Sequence, residues 1–117
     1  MWGKNKQPKI FIVEDSESNR ALYEKTFGDA GFSLTLRADA DGDLIADVVA
    51  AEPDIISMDL MIGNGERLPE RDGFAALELL KKDERTRDIP VMILTSFFAE
   101  DKVRRAQELD AVDFIPL

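Results

Sequence analysis

Three apolar runs in this sequence stop at residues able to hold a cation or an anion. Glu14 and Asp15 follow Lys9-Ile10-Phe11-Ile12-Val13, Asp59 follows Ile55-Ile56-Ser57-Met58, and Thr95-Ser96 follow Val91-Met92-Ile93-Leu94. Each run is short, continuous and rich in β-branched residues, the pattern of a strand buried on both faces. In an open parallel sheet the carboxyl ends of the strands form the ligand-binding edge. Three carboxylates and a hydroxyl therefore converge there. Clustered carboxylates repel one another, and burial raises their pKa values. A divalent cation relieves both effects, and an all-oxygen donor set selects Mg²⁺ or Mn²⁺ over zinc. The Thr95 hydroxyl and backbone N–H groups at helix N-termini would hold an anion beside that cation. A cation, an anion site and a central Asp together point to phosphoryl chemistry.

Composition excludes most rivals. The 117 residues contain no Cys and no His. Disulfides, zinc–thiolate sites, Ser-His-Asp triads, His-ligated metals and a phosphohistidine on this chain are thereby ruled out. The 15 basic and 24 acidic residues leave a net charge of −9. That argues against direct nucleic-acid binding and suits a cation or a basic partner surface. The apolar runs are too short for a membrane span. Residues 1–8 read as a flexible polar lead without a signal peptide, and cytoplasmic residence is the expectation. Length and a 44% hydrophobic content fit one globular domain over residues 9–117.

The elements that must position these side chains alternate. After Asp15-Ser16-Glu17-Ser18, which offers caps and first-turn acids, Leu22, Tyr23, Thr26, Phe27 and Ala30 recur at helical spacing, and Gly31 stops the helix. Residues 33–38 form a second strand. Asp41-Gly42-Asp43 opens a helix with Leu44, Ile45, Val48, Val49 and Ala51 as its stripe, ended by Pro53. Residues 62–72 read as a loop, and Gly73 leads a helix through Phe74, Leu77, Leu79 and Leu80. The charge run at residues 83–88 reads as a solvated loop, residues 99–109 as a fourth helix and Asp113-Phe114-Ile115 as a fifth strand. The order βαβαβαβαβ implies right-handed crossovers and a parallel sheet.

With these pieces in place, the chain resembles a response-regulator receiver domain. The resemblance rests on Ile12-Val13-Glu14-Asp15, Asp59-Leu60-Met61, Pro69-Glu70-Arg71-Asp72-Gly73, Pro90-Val91-Met92-Ile93-Leu94-Thr95-Ser96 and Ala111-Val112-Asp113-Phe114, in that order and spacing. It implies a flavodoxin-like, doubly wound, five-stranded parallel sheet in the order 2-1-3-4-5. It implies that Asp59 is the phosphoacceptor for a sensor histidine kinase or histidine phosphotransfer protein. Glu14, Asp15, Asp59 and the Met61 carbonyl would hold Mg²⁺ (or Mn²⁺). Thr95 would bond the phosphoryl group, Phe114 would be the aromatic switch, and a downstream protein partner would read the result. The chain would then be a signalling phosphoprotein and not an enzyme in its own right.

Three departures accompany the resemblance. The family's lysine near the end of the fifth strand is replaced by Pro116-Leu117, and Lys102 is a substitute only by guess. The loop between Asp59 and Gly73 is longer than the family's, bringing Glu66, Arg67, Glu70 and Arg71 into play as either a solvated tip or a lid. The family's final helix is missing, which predicts exposed apolar sheet near Ile10, Ile12, Ile93 and Ile115, and with it truncation, a homodimer or a borrowed helix.

Blander readings stand beside these. Asp59 and Thr95 would serve as helix caps, Glu14-Asp15 as an acidic turn and Phe114 as a core aromatic. Phe97-Phe98 mark a candidate partner face or pack under the fourth helix, Ser96 flanks the site, and Trp2 has no assigned role. A phosphorylation-independent docking module is the rival function. A haloacid-dehalogenase-type phosphatase is disfavoured, because its nucleophile is followed two residues later by a second Asp. Here Asp15 precedes Ser16-Glu17, and Asp59 precedes Leu60-Met61.

Overall fold

A computed structural model describes residues 7–59, 72–95, 104, 105, 107–109 and 113–116, with Leu94, Thr95 and 113–116 described by their backbone alone. The elements run β1 (Lys9–Val13), α1 (Glu17–Asp29), β2 (Ser33–Arg37), α2 (Leu44–Ala51), β3 (Ile55–Met58), α3 (Gly73–Lys82), β4 (Val91–Thr95) and β5 (Asp113–Pro116). Strands β1 to β4 form the body of a parallel sheet in the order β2-β1-β3-β4, and the β5 backbone pairs parallel with β4. The fold is the expected α/β, flavodoxin-like arrangement. Of the expected fourth helix, Arg104, Arg105, Gln107 and Glu108 are helical and the remainder lies outside the described residues.

Local chemistry sets the boundaries. Ser16 caps α1 by accepting from the Asn19 N–H, Asp43 caps α2 through Ala46, and Asp72 caps α3 through Ala75 at 2.8 Å. Side-chain oxygens thereby satisfy N–H groups that a helix start leaves unpaired. The chain leaves α1 through Gly31 at φ +96°, where a side chain would be strained.

The two faces of the sheet are filled unequally. Phe11, Val13, Ile56, Met58, Val91 and Ile93 meet α2 and α3 through Leu44, Val48, Phe74, Leu77 and Leu80. On the opposite face Ile10 and Ile12 meet Tyr23 of α1, with Phe27, Phe32, Leu34, Leu36 and Ile55 around them. Tyr23, Phe27 and Phe32 form a file with ring centroids 5.9 and 5.8 Å apart.

This packing corrects four expectations. Ile10, Ile12 and Ile93 are not exposed sheet, for none exceeds 3% exposure. Alternation places Ile93 on the α2–α3 face, and α1 covers the other two. The Ile115 side chain lies outside the description. The broad α1 stripe is also overturned: Leu22 is 57% exposed, and Thr26 and Ala30 are exposed too. Only the line through Tyr23 and Phe27 meets the sheet, and among the described residues α1 is the one helix on that face. Val49 is exposed on α2, since it sits about 100° around the helix from buried Val48. The run at residues 83–88 is anchored rather than merely solvated. Thr86 is fully buried and donates to the Leu80 carbonyl at 2.7 Å, while Lys81 donates to the Arg87 and Ile89 carbonyls.

Candidate functional site

The sheet pairing extends one residue past β1 and β3. The Glu14 N–H donates to the Arg37 carbonyl at 2.9 Å, and the Asp59 N–H donates to the Val13 carbonyl at 3.1 Å. These bonds fix both residues at the same edge. The β period turns their side chains to the α1 face, in line with Ile12 and Ser57. Glu14 and Asp59 are buried and Asp15 is half-buried, and one carboxylate oxygen from each lies within 4.8 Å of the other two. The sequence-predicted trio is therefore brought together.

Its electrostatics are unbalanced. Burial, the neighbouring Asp59 charge and hydrogen bonding to Asp59 and Asp15 push the Glu14 carboxyl up to about 7, although the Ser16 N–H bonded to it pulls the other way. Near neutral pH the Glu14 carboxyl thus still holds part of its proton, where an ordinary carboxyl would have lost it. The donor set is entirely oxygen, compact and anionic, and it fits a hard divalent cation such as Mg²⁺ or Mn²⁺.

Other predicted residues are placed less completely. Met58 registers with Ile93, so the Thr95 backbone stands at the same carboxyl edge as Asp59, one register position further along. Thr95 pairs with Pro116, and Phe114 lies beside Ile93 in register. The side chains of Thr95 and Phe114 lie outside the description. So do Met61, Glu66, Arg67, Glu70, Arg71, Ser96, Phe97, Phe98, Lys102 and Leu117.

Sequence reasoning missed two neighbours of the cluster. Arg20 on α1 donates from Nη1 to the Glu14 carbonyl at 2.7 Å. The Tyr23 hydroxyl is buried without a hydrogen-bond partner among the described residues, and burial with the charges of Glu14 and Asp59 raises its pKa. Helical spacing marked Tyr23 only as core, and nothing in that spacing announces where its hydroxyl ends. A neighbouring clamp orders the β2–α2 connection: Arg37 pairs with Asp47 at 2.5 Å and Asp39 at 3.4 Å, and bonds the Asp41 carbonyl.

Comparisons with known proteins agree with this arrangement. A family model described as the response regulator receiver domain matches residues 10–116. The DNA-binding dual master transcriptional regulator RpaA of Synechocystis is 35% identical over 99 residues, covering 83% of this chain and 38% of its own length. The chain thus spans well under half of that relative. The receiver domain of a signal transduction histidine kinase from Syntrophus aciditrophicus superposes with a TM-score of 0.77 at 28% identity, covering 93% of this chain and 77% of that one. The Mn(2+)-bound form of response regulator Rcp1 does so with a TM-score of 0.74 at 26% identity, covering 93% and 80%.

Proposed function

Since the chain belongs to the response regulator receiver family of two-component signalling, we propose that it is a phosphorelay receiver in which Asp59 is the phosphoacceptor. The observation that carries this reading is the convergence of three carboxylates within 4.8 Å at the ends of β1 and β3. Glu14, Asp15 and Asp59, with the Met61 carbonyl, would hold Mg²⁺ or Mn²⁺. Bound there, the cation would offset the charge of the attacking carboxylate and of the phosphoryl oxygens.

The chain's own residues do the rest. An Asp59 carboxylate oxygen forms a bond to phosphorus as the P–N bond of a partner's phosphohistidine breaks. The imidazole keeps the bonding pair and takes a proton from water. Burial of Asp59 limits water at the acyl phosphate, whose later hydrolysis restores the carboxylate. The Thr95 hydroxyl would donate to the new phosphoryl oxygens, and Phe114 would follow its movement, altering the surface a downstream protein reads. The donor partner is a sensor histidine kinase or a histidine phosphotransfer protein. Relatives whose names say that they bind DNA are longer than this chain, and no direct nucleic-acid contact is proposed for it.

Peptide mapping tests the acceptor directly. The protein is incubated with Mg²⁺ and acetyl phosphate, then reduced with borohydride, which converts an aspartyl phosphate to homoserine. Homoserine at position 59 is expected. Homoserine at another carboxylate, or at none, would overturn the assignment.

A further inference from the structure

We propose that Arg20 is a positioning residue for the acidic cluster: its guanidinium fixes the peptide that carries Glu14 and Asp15. The inference rests on the divalent-cation reading of that cluster and adds a residue to it.

Three bonds tie Glu14 to the neighbouring strand and to the start of α1. Its N–H donates to the Arg37 carbonyl at 2.9 Å, its Oε2 accepts from the Ser16 N–H at 3.1 Å, and its carbonyl accepts from Arg20 Nη1 at 2.7 Å. The third bond addresses a specific difficulty. Glu14 lies past the end of β1 and before the start of α1, where the regular pattern of strand and helix bonds changes over, and Arg20 brings its carbonyl a donor there. An acceptor taken out of water without a donor is a cost to the fold. A guanidinium is a donor that is always charged and geometrically rigid. Half-buried at the end of the first turn of α1, it anchors the helix to the strand tip.

The bonded carbonyl belongs to the peptide joining Glu14 to Asp15. Fixing that peptide fixes the directions in which both carboxylates leave the backbone. It also sets a permanent positive charge against the backbone between two acids. The Ser16 N–H that orients the Glu14 carboxylate belongs to the residue whose side chain caps α1 by accepting from Asn19. Strand tip, cluster and helix start are thereby tied together, with Arg20 closing the ring from the helix side. Outer partners that orient ligands in this way are commonly worth 10–100-fold in metal affinity.

The test is isothermal titration of the full chain with Mn²⁺ alone, comparing wild type, Arg20→Met and Arg20→Lys. Circular dichroism melting in chelator reports the metal-free stability of each. The expected result is a loss in Mn²⁺ affinity on the order of 10-fold in Arg20→Met, with Arg20→Lys between it and wild type. An Arg20→Met protein within twofold of wild type would overturn the proposal. So would an Arg20→Lys protein no better than Arg20→Met, since the stem rather than the charged donor would then matter. Should Arg20→Met not fold, Arg20→Lys carries the test: weaker binding than wild type is expected, and wild-type affinity would overturn it. Wild type that fails to bind Mn²⁺ would instead sink the cation reading itself.

Discussion

The Glu14 carboxyl is where the site's conflict is concentrated. Folding raises it from its ordinary value to about 7, chiefly by burial and then by its acidic neighbours. A carboxyl raised in this way binds its proton more tightly in the folded state. Its contribution to stability is therefore full below about 4.5 and is lost as pH rises through about 7. In metal-free buffer the wild-type melting temperature should fall across that window, and that of Glu14→Gln should fall less. Equal slopes in the two proteins would show that Glu14 is not the group responsible. The buried Tyr23 hydroxyl, without a hydrogen-bond partner among the described residues, makes a second prediction at this scale. Tyr23→Phe should leave urea stability unchanged or raise it by up to about 1 kcal/mol, because an unpaired buried hydroxyl is a cost. A loss of more than 1 kcal/mol would mean that the hydroxyl is bonded after all. The acidic trio was legible in the sequence because strand alternation fixes what stands at a strand tip. Arg20 and Tyr23 were not, because their roles depend on how α1 is rotated against the sheet.

Elements were legible where a single local rule decided them. The β-branched runs of β1, β3 and β4 stop at polar residues, and Ser16, Asp43 and Asp72 cap the helices that follow. Burial of a helix face was less legible, since it depends on which other helices share that side of the sheet. Leu22 and Val49 fit an apolar stripe by spacing, yet both are exposed. Ile93 lies beside the strand tip in sequence but alternates to the α2–α3 face. Two substitutions test the resulting account of α3. Leu77→Ala removes a fully buried side chain from the larger core cluster and should cost about 2–5 kcal/mol. Thr86→Val leaves the Leu80 carbonyl without its side-chain donor and should cost about 1–3 kcal/mol. Denaturant melts read both, and losses below 0.5 kcal/mol would contradict the packing described.

Across the whole molecule, an excess of acid shapes behaviour beyond any one contact. A net charge of −9 penalises the compact state by self-repulsion, which simple salt screens. Mg²⁺ should act differently, by binding the folded state at one place. Millimolar Mg²⁺ should raise the wild-type melting temperature more than the same ionic strength of NaCl, and Asp59→Asn should lose most of that excess. No described helix is long and apolar enough to cross a membrane. The parallel sheet, and the edge where the acidic cluster gathers, could be anticipated from the strict alternation of strands and helices. What the proposed phosphorylation would do to Thr95 and Phe114 could not, because a switch is a difference between two states and a sequence pattern encodes one.

The central claim is that Asp59 accepts a phosphoryl group with help from a cation held by its neighbours. Intact-protein mass spectrometry after incubation with acetyl phosphate tests it most directly, run on wild type and Asp59→Asn, each with Mg²⁺ and with chelator. The account predicts a single phosphoryl adduct in wild type with Mg²⁺ and none in the other three samples. An adduct that persists in Asp59→Asn, or an unmodified wild type that nonetheless binds Mg²⁺, would contradict it.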